Sequence, residues 1–171
     1  MSILDARKPK APLVREIMTK KVYAVGPNQS VYATAKTITD HKISSVPVVD
    51  QDNSILGFVT AKDCLSCLAN CLFHDRIREK TAADIMTKDV ETIKASADLF
   101  ELEDFFVHHN IHHAPVVDKE GALVGMISRH DALLGLENLY TDSLHYKEEL
   151  KTPVEFTLHE RMKYLIKENN F

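Results

Sequence analysis

The 171-residue sequence has no tryptophan, only five glycines and only three cysteines. Three cysteines are an odd number, and without an export signal they favour free thiols over a disulfide framework. The few glycines form neither a phosphate-binding Walker loop nor a dinucleotide fingerprint. Because a nucleophile elbow and a paired-cysteine zinc motif are missing too, catalysis is not expected.

Long apolar runs are also missing. The first ten residues have no apolar core of the kind a secretory signal needs. The longest uncharged, apolar-leaning stretch, residues 64–73, is too short to span a bilayer. We therefore expect a cytoplasmic protein without a membrane partner. The formal net charge of −4 argues against a nucleic-acid partner, which would need a basic surface.

What the sequence does contain is an internal repeat. Four motifs recur at one offset of 68 residues, as in 85 − 17 and 131 − 63: Ile-Met-Thr-Lys at 17–20 and 85–88, Pro-Val-Val-Asp at 47–50 and 115–118, a glycine at 57 and 125, and an aspartate at 63 and 131. Chance does not hold four separate motifs in one register. The chain therefore contains two copies of one unit.

Each copy is predicted to run strand, helix, strand, strand, helix. The predicted strands are residues 22–25, 46–49 and 55–59 in the first copy and 90–93, 114–117 and 123–127 in the second. Asn28 and Ser96 are predicted to cap the first helices, and Thr60 and Ser128 to open the second ones. Turns are predicted at residues 50–53 and 118–121.

A unit of about fifty residues buries too little surface to be stable alone. The two copies should therefore pack together about a pseudo-twofold axis, with clefts between them, as an α/β (α+β) fold. The expected boundaries are an N-terminal extension at 1–13, repeats at 14–73 and 81–136, a polar linker at 74–80 and a helical tail at 137–171. The tail has a capping-box pattern at residues 157–160 followed by an apolar stripe. That stripe fits packing on its own module or contact with a partner.

In combination, these motifs resemble the CBS repeat, and the two copies resemble a CBS pair, or Bateman module, over about residues 14–136. The resemblance implies regulatory ligand binding. Family members commonly bind AMP, ADP, ATP, S-adenosylmethionine or related adenosine compounds in two clefts, and they regulate an attached enzyme, channel or transporter. Here the regulated protein is expected to be a separate chain. No cofactor is expected beyond such a ligand.

The resemblance also implies that each cleft takes its aspartate from one copy and its remaining residues from the other. Cleft A would comprise Thr60, Lys62, Asp63, Thr87, Thr92, Ile93, Ile111, His112 and His113. Cleft B would comprise Thr19, Ala24, Val25, Ile43, Ser44, Ser45, Ser128, Arg129, His130 and Asp131. Apolar side chains would sandwich the adenine, and strand backbone groups would read its edge.

The aspartates have two interpretations. Thr60 with Asp63, and Ser128 with Asp131, have the spacing of a helix-capping box. A carboxylate in these places could equally hold the ribose hydroxyls, while the hydroxyl and the helix N-terminus bind phosphate. Both roles can hold at once.

The two clefts are not expected to be equivalent. His112 and His113 of cleft A stand where some family members carry a His-Arg phosphate clamp. A histidine is charged only near or below its ordinary pKa of about 6.5, so phosphate affinity is expected to depend on pH. Cleft B has two serines there, for which Arg129 and His130 could compensate.

Two clusters suggest metal at first. Cys64, Cys67, Cys71 and His74 follow one helical stripe about 15 Å long, which is too long for one zinc ion and favours burial or a dimer face. The histidines at 108, 109, 112 and 113 have no carboxylate or thiol placed beside them in the sequence. No metal site is therefore expected, and a metal or redox sensor remains the weaker alternative, beside an adaptor with empty clefts.

A homodimer is expected through the helices that follow the two aspartate motifs. Their apolar face would otherwise be partly exposed, and large exposed patches usually mark interfaces. The residues of this predicted face are Cys64, Leu65, Leu68, Cys71, Leu72, Leu133 and Leu136.

Overall fold

The computed structural model describes residues 9–73 and 80–151, with side chains as far as residue 148. The first copy contains α1 (Val14–Ile17), α2 (Val31–Asp40), β1 (Ser45–Val49), β2 (Ile55–Thr60) and α3 (Ala61–Phe73). The second contains α4 (Ala82–Ile85), β3 (Ile93–Lys94), α5 (Leu99–His108), β4 (His113–Val117), β5 (Leu123–Ser128) and α6 (Arg129–Lys151). Linker residues 74–79 and the predicted capping box at 157–160 lie outside the described residues.

The two copies together form one compact unit, residues 11–136. Each has a central antiparallel pair, β1 with β2 and β4 with β5, and the paired registers correspond residue for residue. In the second copy β3 adds a parallel strand beside β4. The mixed α+β architecture of two repeats is the predicted one.

The first predicted strand of each copy is shorter than expected. Residues 22–25 contribute only a single parallel bridge from Val25 to Val48, whereas β3 has two residues. The strand is shorter in the first copy because of the residue at position 27. Ala95 donates its backbone N–H to the Val117 carbonyl at 2.8 Å, but Pro27, its counterpart, has no N–H to extend the ladder.

The predicted helix caps were wrong by two residues in both copies. Ser30 caps α2, accepting from the Ala33 N–H at 3.2 Å, and Asp98 caps α5. The residues just before both caps form turns, and their backbone also pairs with the other copy. The carbonyl of Gln29 accepts from the Ala82 N–H at 2.8 Å, which holds the chain out of a helix one residue before Ser30.

Reciprocal contacts establish the pseudo-twofold axis. Thr19 and Met126 exchange two backbone hydrogen bonds of 2.9 Å, and the equivalent pair, Thr87 and Phe58, exchanges bonds of 3.0 and 2.9 Å. Ser54 pairs directly with its own counterpart, residue 122, so the axis passes between them. The two copies therefore pack as predicted.

The cysteines belong mainly to the core. Cys64 and Cys67 are buried with Val46, Val48 and Val59, and Cys71 is half-buried against this cluster. Desolvation by burial, foremost, raises the pKa of the Cys64 and Cys67 thiols. All three are free, as predicted. The predicted dimer face was wrong in including Cys64, whose side chain points inward.

No group of three or more histidine, cysteine or acidic side chains within the described ranges could hold a metal ion. The same part of the chain has no helix long and apolar enough to cross a membrane.

Candidate ligand-binding clefts

Two clefts lie between the repeats, with cavity volumes of about 610 Å³ for cleft A and about 420 Å³ for cleft B. Cleft A is bounded by the start of α3, the segment after Thr87 and the start of β4. Cleft B is bounded by the start of α6, the segment after Thr19 and the start of β1. The clefts adjoin, because Ser44, Ser45 and His113 line both.

Six of the nine residues predicted for cleft A line it: Thr60, Lys62, Thr87, Ile111, His112 and His113. Asp63, Thr92 and Ile93 are not part of its wall. Ile93 is buried in β3, which pairs with β4. Thr92 is exposed beside it.

Six of the ten residues predicted for cleft B line it: Thr19, Ile43, Ser44, Ser45, Ser128 and Asp131. Val25 is buried in the same core cluster as Cys64 and Cys67, and Ala24 and His130 are exposed outside the cavity wall. The Arg129 side chain extends away from the cleft. Its Nη2 donates to the His109 carbonyl at 3.3 Å, so this arginine does not supply the positive charge that was expected for cleft B.

Both aspartates form the capping box that their spacing predicts. Asp63 Oδ2 accepts from the Thr60 N–H at 2.8 Å and from the Thr60 hydroxyl at 2.7 Å. Asp131 Oδ2 accepts from the Ser128 N–H at 2.8 Å and from the Ser128 hydroxyl at 2.6 Å. The two capping boxes differ in their position relative to the clefts, because Asp131 borders its cavity and Asp63 does not.

The sequence interpretation took Ala24, Val25, Thr92 and Ile93 from the segments that follow the two Ile-Met-Thr motifs, but the residues that line the clefts come just before them. Lys21, Val22 and Tyr23 line cleft B, and residues 89–91 line cleft A. These segments were predicted largely as strand, although they have no regular structure until residue 25 or 93. The positions nearest to each motif threonine, and not the ends of the predicted strands, line the clefts.

Aromatic stacking shapes one wall of cleft B. The Tyr23 ring stacks on the His41 ring with centroids 3.6 Å apart and an angle of 12° between planes. Lys21 Nζ lies 5.4 Å from the Tyr23 ring centroid. This wall therefore places a cation beside an aromatic surface at the mouth of the cleft.

His113, which faces both clefts, has a lowered pKa. Partial desolvation is the main cause, and the neighbouring His112 acts in the same direction, while the Asp131 carboxylate opposes them. At neutral pH this imidazole is therefore mostly uncharged, and a proton would bind it only under more acidic conditions. The pH dependence expected for phosphate binding stays a prediction.

Comparison with known proteins places these clefts in a family context. The CBS-domain model matches residues 14–70 and 82–138. An uncharacterized 17.7 kDa protein of Acidianus ambivalens is 28% identical over 77% of both chains. The inosine-5′-monophosphate dehydrogenase of Nitrosopumilus maritimus is 32% identical over 67% of this chain, but the match spans only 22% of that enzyme.

Solved structures show the same fold. CBSX2 in complex with AMP has a TM-score of 0.65 at 23% identity, over 75% of this chain and 98% of CBSX2. The CBS domain pair of MJ0100, in complex with 5′-methylthioadenosine and S-adenosyl-L-methionine, has a TM-score of 0.61 at 26% identity. That match covers 77% of this chain and 98% of the domain pair.

Proposed function

Because the chain belongs to the CBS-domain family, with two matched domains in tandem, we propose that it is a regulatory module that binds an adenine nucleotide between its repeats. Ligand occupancy would be transmitted to a separate partner protein. The observation that carries the proposal is cleft B, where the Asp131 carboxylate, a helix N-terminus and two lysines border one cavity.

Cleft B has the groups that a nucleotide needs. The capping contacts use only Oδ2 of Asp131, so Oδ1 can accept from a ribose hydroxyl while the cap stays intact. Ser128 and the N-terminus of α6 suit a phosphate, since the first backbone N–H groups of a helix and its dipole favour anions. Lys21 and Lys42 add positive charge at the mouth.

Cleft A offers a larger and more apolar space. Phe58, Val90, Ile111 and Pro115 contribute to its wall and suit a purine ring, while Thr60 stands at the start of α3. Both volumes fall within the roughly 300–1,000 Å³ typical of small-molecule sites. The CBS domain pair of MJ0100 is in complex with two adenosine compounds, which supports adenosine compounds as ligands of such a pair.

A thermal melt with a panel of nucleotides tests the function. AMP, ATP or S-adenosylmethionine at one hundred times its dissociation constant is expected to stabilise the fold by about 2.7 kcal/mol. For a chain of this size that is a rise of roughly 5–10 °C in melting temperature. GMP, which differs from AMP in its base, is the control for adenine specificity and should not produce this rise. An adaptor with empty clefts would show no shift with any adenosine compound.

A self-association surface is the second part of the proposal. Leu65 and Leu72 on α3 are 71% and 80% exposed, and Leu133 on α6 is 63% exposed. Exposed leucines on the helices after both aspartate motifs favour a homodimer. Sedimentation is expected to show twice the 19.3 kDa chain mass at micromolar concentration. A species of 19.3 kDa alone would contradict the dimer.

A further inference from the structure

The two clefts occupy equivalent places but carry opposite charge. Three positions one repeat length apart differ in kind: Lys21 corresponds to Asp89, Tyr23 to Glu91 and Lys42 to Asn110. Each of these residues except Asn110 lines its cleft. The repeat therefore keeps the place of the site in the fold while changing its electrostatics.

The mouth of cleft B is positive. Lys21 and Lys42 are exposed, and within the described ranges neither forms an ion pair with a carboxylate. The single acidic side chain on the wall, Asp131, already accepts two hydrogen bonds from Ser128. A ligand with a dianionic group would meet two available ammonium groups here.

The mouth of cleft A is negative. Asp89 and Glu91 line it together with one lysine, Lys62, while His112 and His113 on the same wall add positive charge only when they are protonated. His109 Nδ1 lies 3.7 Å from Glu91 Oε1 and offsets that carboxylate only when the imidazole is protonated. A phosphate in this cleft would face two carboxylates, which disfavours it, whereas a cationic group would be stabilised by them.

We infer that the clefts divide adenosine compounds by charge: cleft B takes the phosphate-bearing nucleotide, and cleft A takes an adenosine compound with a neutral or cationic 5′ substituent. This inference rests on the proposed function and deepens it. One module would then respond to two ligands at once. Ser44, Ser45 and His113 line both clefts and would contact both ligands.

Exchanging the charged residues at equivalent positions of the two clefts tests the proposed division of ligands between them. Lys21→Asp gives cleft B the residue found in cleft A, and Asp89→Lys makes the opposite exchange. Both positions are exposed, so neither change disturbs the core. The probes are dianionic AMP, neutral 5′-methylthioadenosine and cationic S-adenosylmethionine, titrated by calorimetry at low and moderate salt.

Lys21→Asp is expected to weaken the affinity for AMP about tenfold. The affinity for S-adenosylmethionine should stay within twofold of wild type. Asp89→Lys is expected to weaken the affinity for S-adenosylmethionine and to leave the affinity of cleft B for AMP unchanged. Higher salt should reduce the effects of both variants because it screens the charges. Lys21→Gln should show a smaller loss of AMP. 5′-Methylthioadenosine, which has no charge, should respond little to either exchange.

Native mass spectrometry of wild type with AMP and S-adenosylmethionine together should show one of each per chain. Competition between them for one cleft, or equal loss of AMP in both exchange variants, would overturn the division of ligands and leave the nucleotide-sensor function standing. Wild type that binds none of the three probes would overturn both.

Discussion

An Asp131→Asn variant is expected to lose most of the stabilisation that AMP confers on the wild-type protein. The carboxylate can accept from the ribose through one oxygen while the other caps α6, but the amide has one acceptor oxygen and must give up one of these contacts. The loss should approach the about 2.7 kcal/mol supplied by a ligand at one hundred times its dissociation constant. The measurement is the AMP-induced change in melting temperature.

Asp63→Asn is the matched control. Asp63 makes the same capping contacts with Thr60, yet it does not border its cavity. Its substitution should lower the ligand-free stability by up to about 1 kcal/mol, as for a weakened cap, and leave the AMP response unchanged. A negative charge near phosphate is also unfavourable. An Asp131→Asn protein that binds AMP more tightly would therefore show that charge repulsion outweighs ribose contact, against this account.

A Gly57→Ala variant is expected to be destabilised by about 1–3 kcal/mol, the usual cost of overpacking a core contact. The added methyl group would collide with the Met86 side chain and lie 2.9 Å from the Thr87 carbonyl oxygen. That carbonyl accepts the Phe58 N–H at 2.9 Å, in a bridge that joins the two copies. The backbone therefore cannot move aside without breaking the contact between repeats.

Gly125→Ala provides the comparison at the equivalent position. There the three nearest atoms to the added methyl group all belong to the flexible Met18 side chain, the closest carbon pair being 3.0 Å apart. Met18→Ala should relieve that collision. The Gly125→Ala/Met18→Ala double variant should therefore be about as stable as the Met18→Ala single variant. Adding Met86→Ala should not rescue Gly57→Ala, because the Thr87 carbonyl remains. Equal denaturation midpoints for both glycine variants and wild type would disprove the packing argument.

The repeat register made most of the fold predictable. Four motifs at one offset are enough to identify two copies, and the apolar runs that became β1, β2, β4 and β5 were placed to within a residue. The caps could not be placed correctly from propensity alone. Asn28 is a good capping residue, but it lies in a turn, and the Gln29 carbonyl pairs with the other copy, so the helix begins after Ser30.

The site was predictable where motif residues form its wall and not where tertiary contacts redirect a side chain. Thr60 and Ser128 open helices from the ends of strands, so local sequence determines their place. Arg129 turns toward the end of α5 because the His109 carbonyl accepts its guanidinium, a contact that spans 20 residues. Lys21 and Asp89 directly precede the predicted strands at 22–25 and 90–93, whereas the residues chosen for the clefts were taken from the far ends of those strands.

The central claim is that an adenine nucleotide binds between the repeats, and titration calorimetry of the wild-type protein with AMP tests it most directly. The account predicts a saturable heat at neutral pH that is retained in Asp63→Asn, strongly reduced in Asp131→Asn, and not reproduced by GMP. The absence of saturable heat with AMP, ATP and S-adenosylmethionine alike would contradict the account and favour an adaptor whose clefts hold no nucleotide.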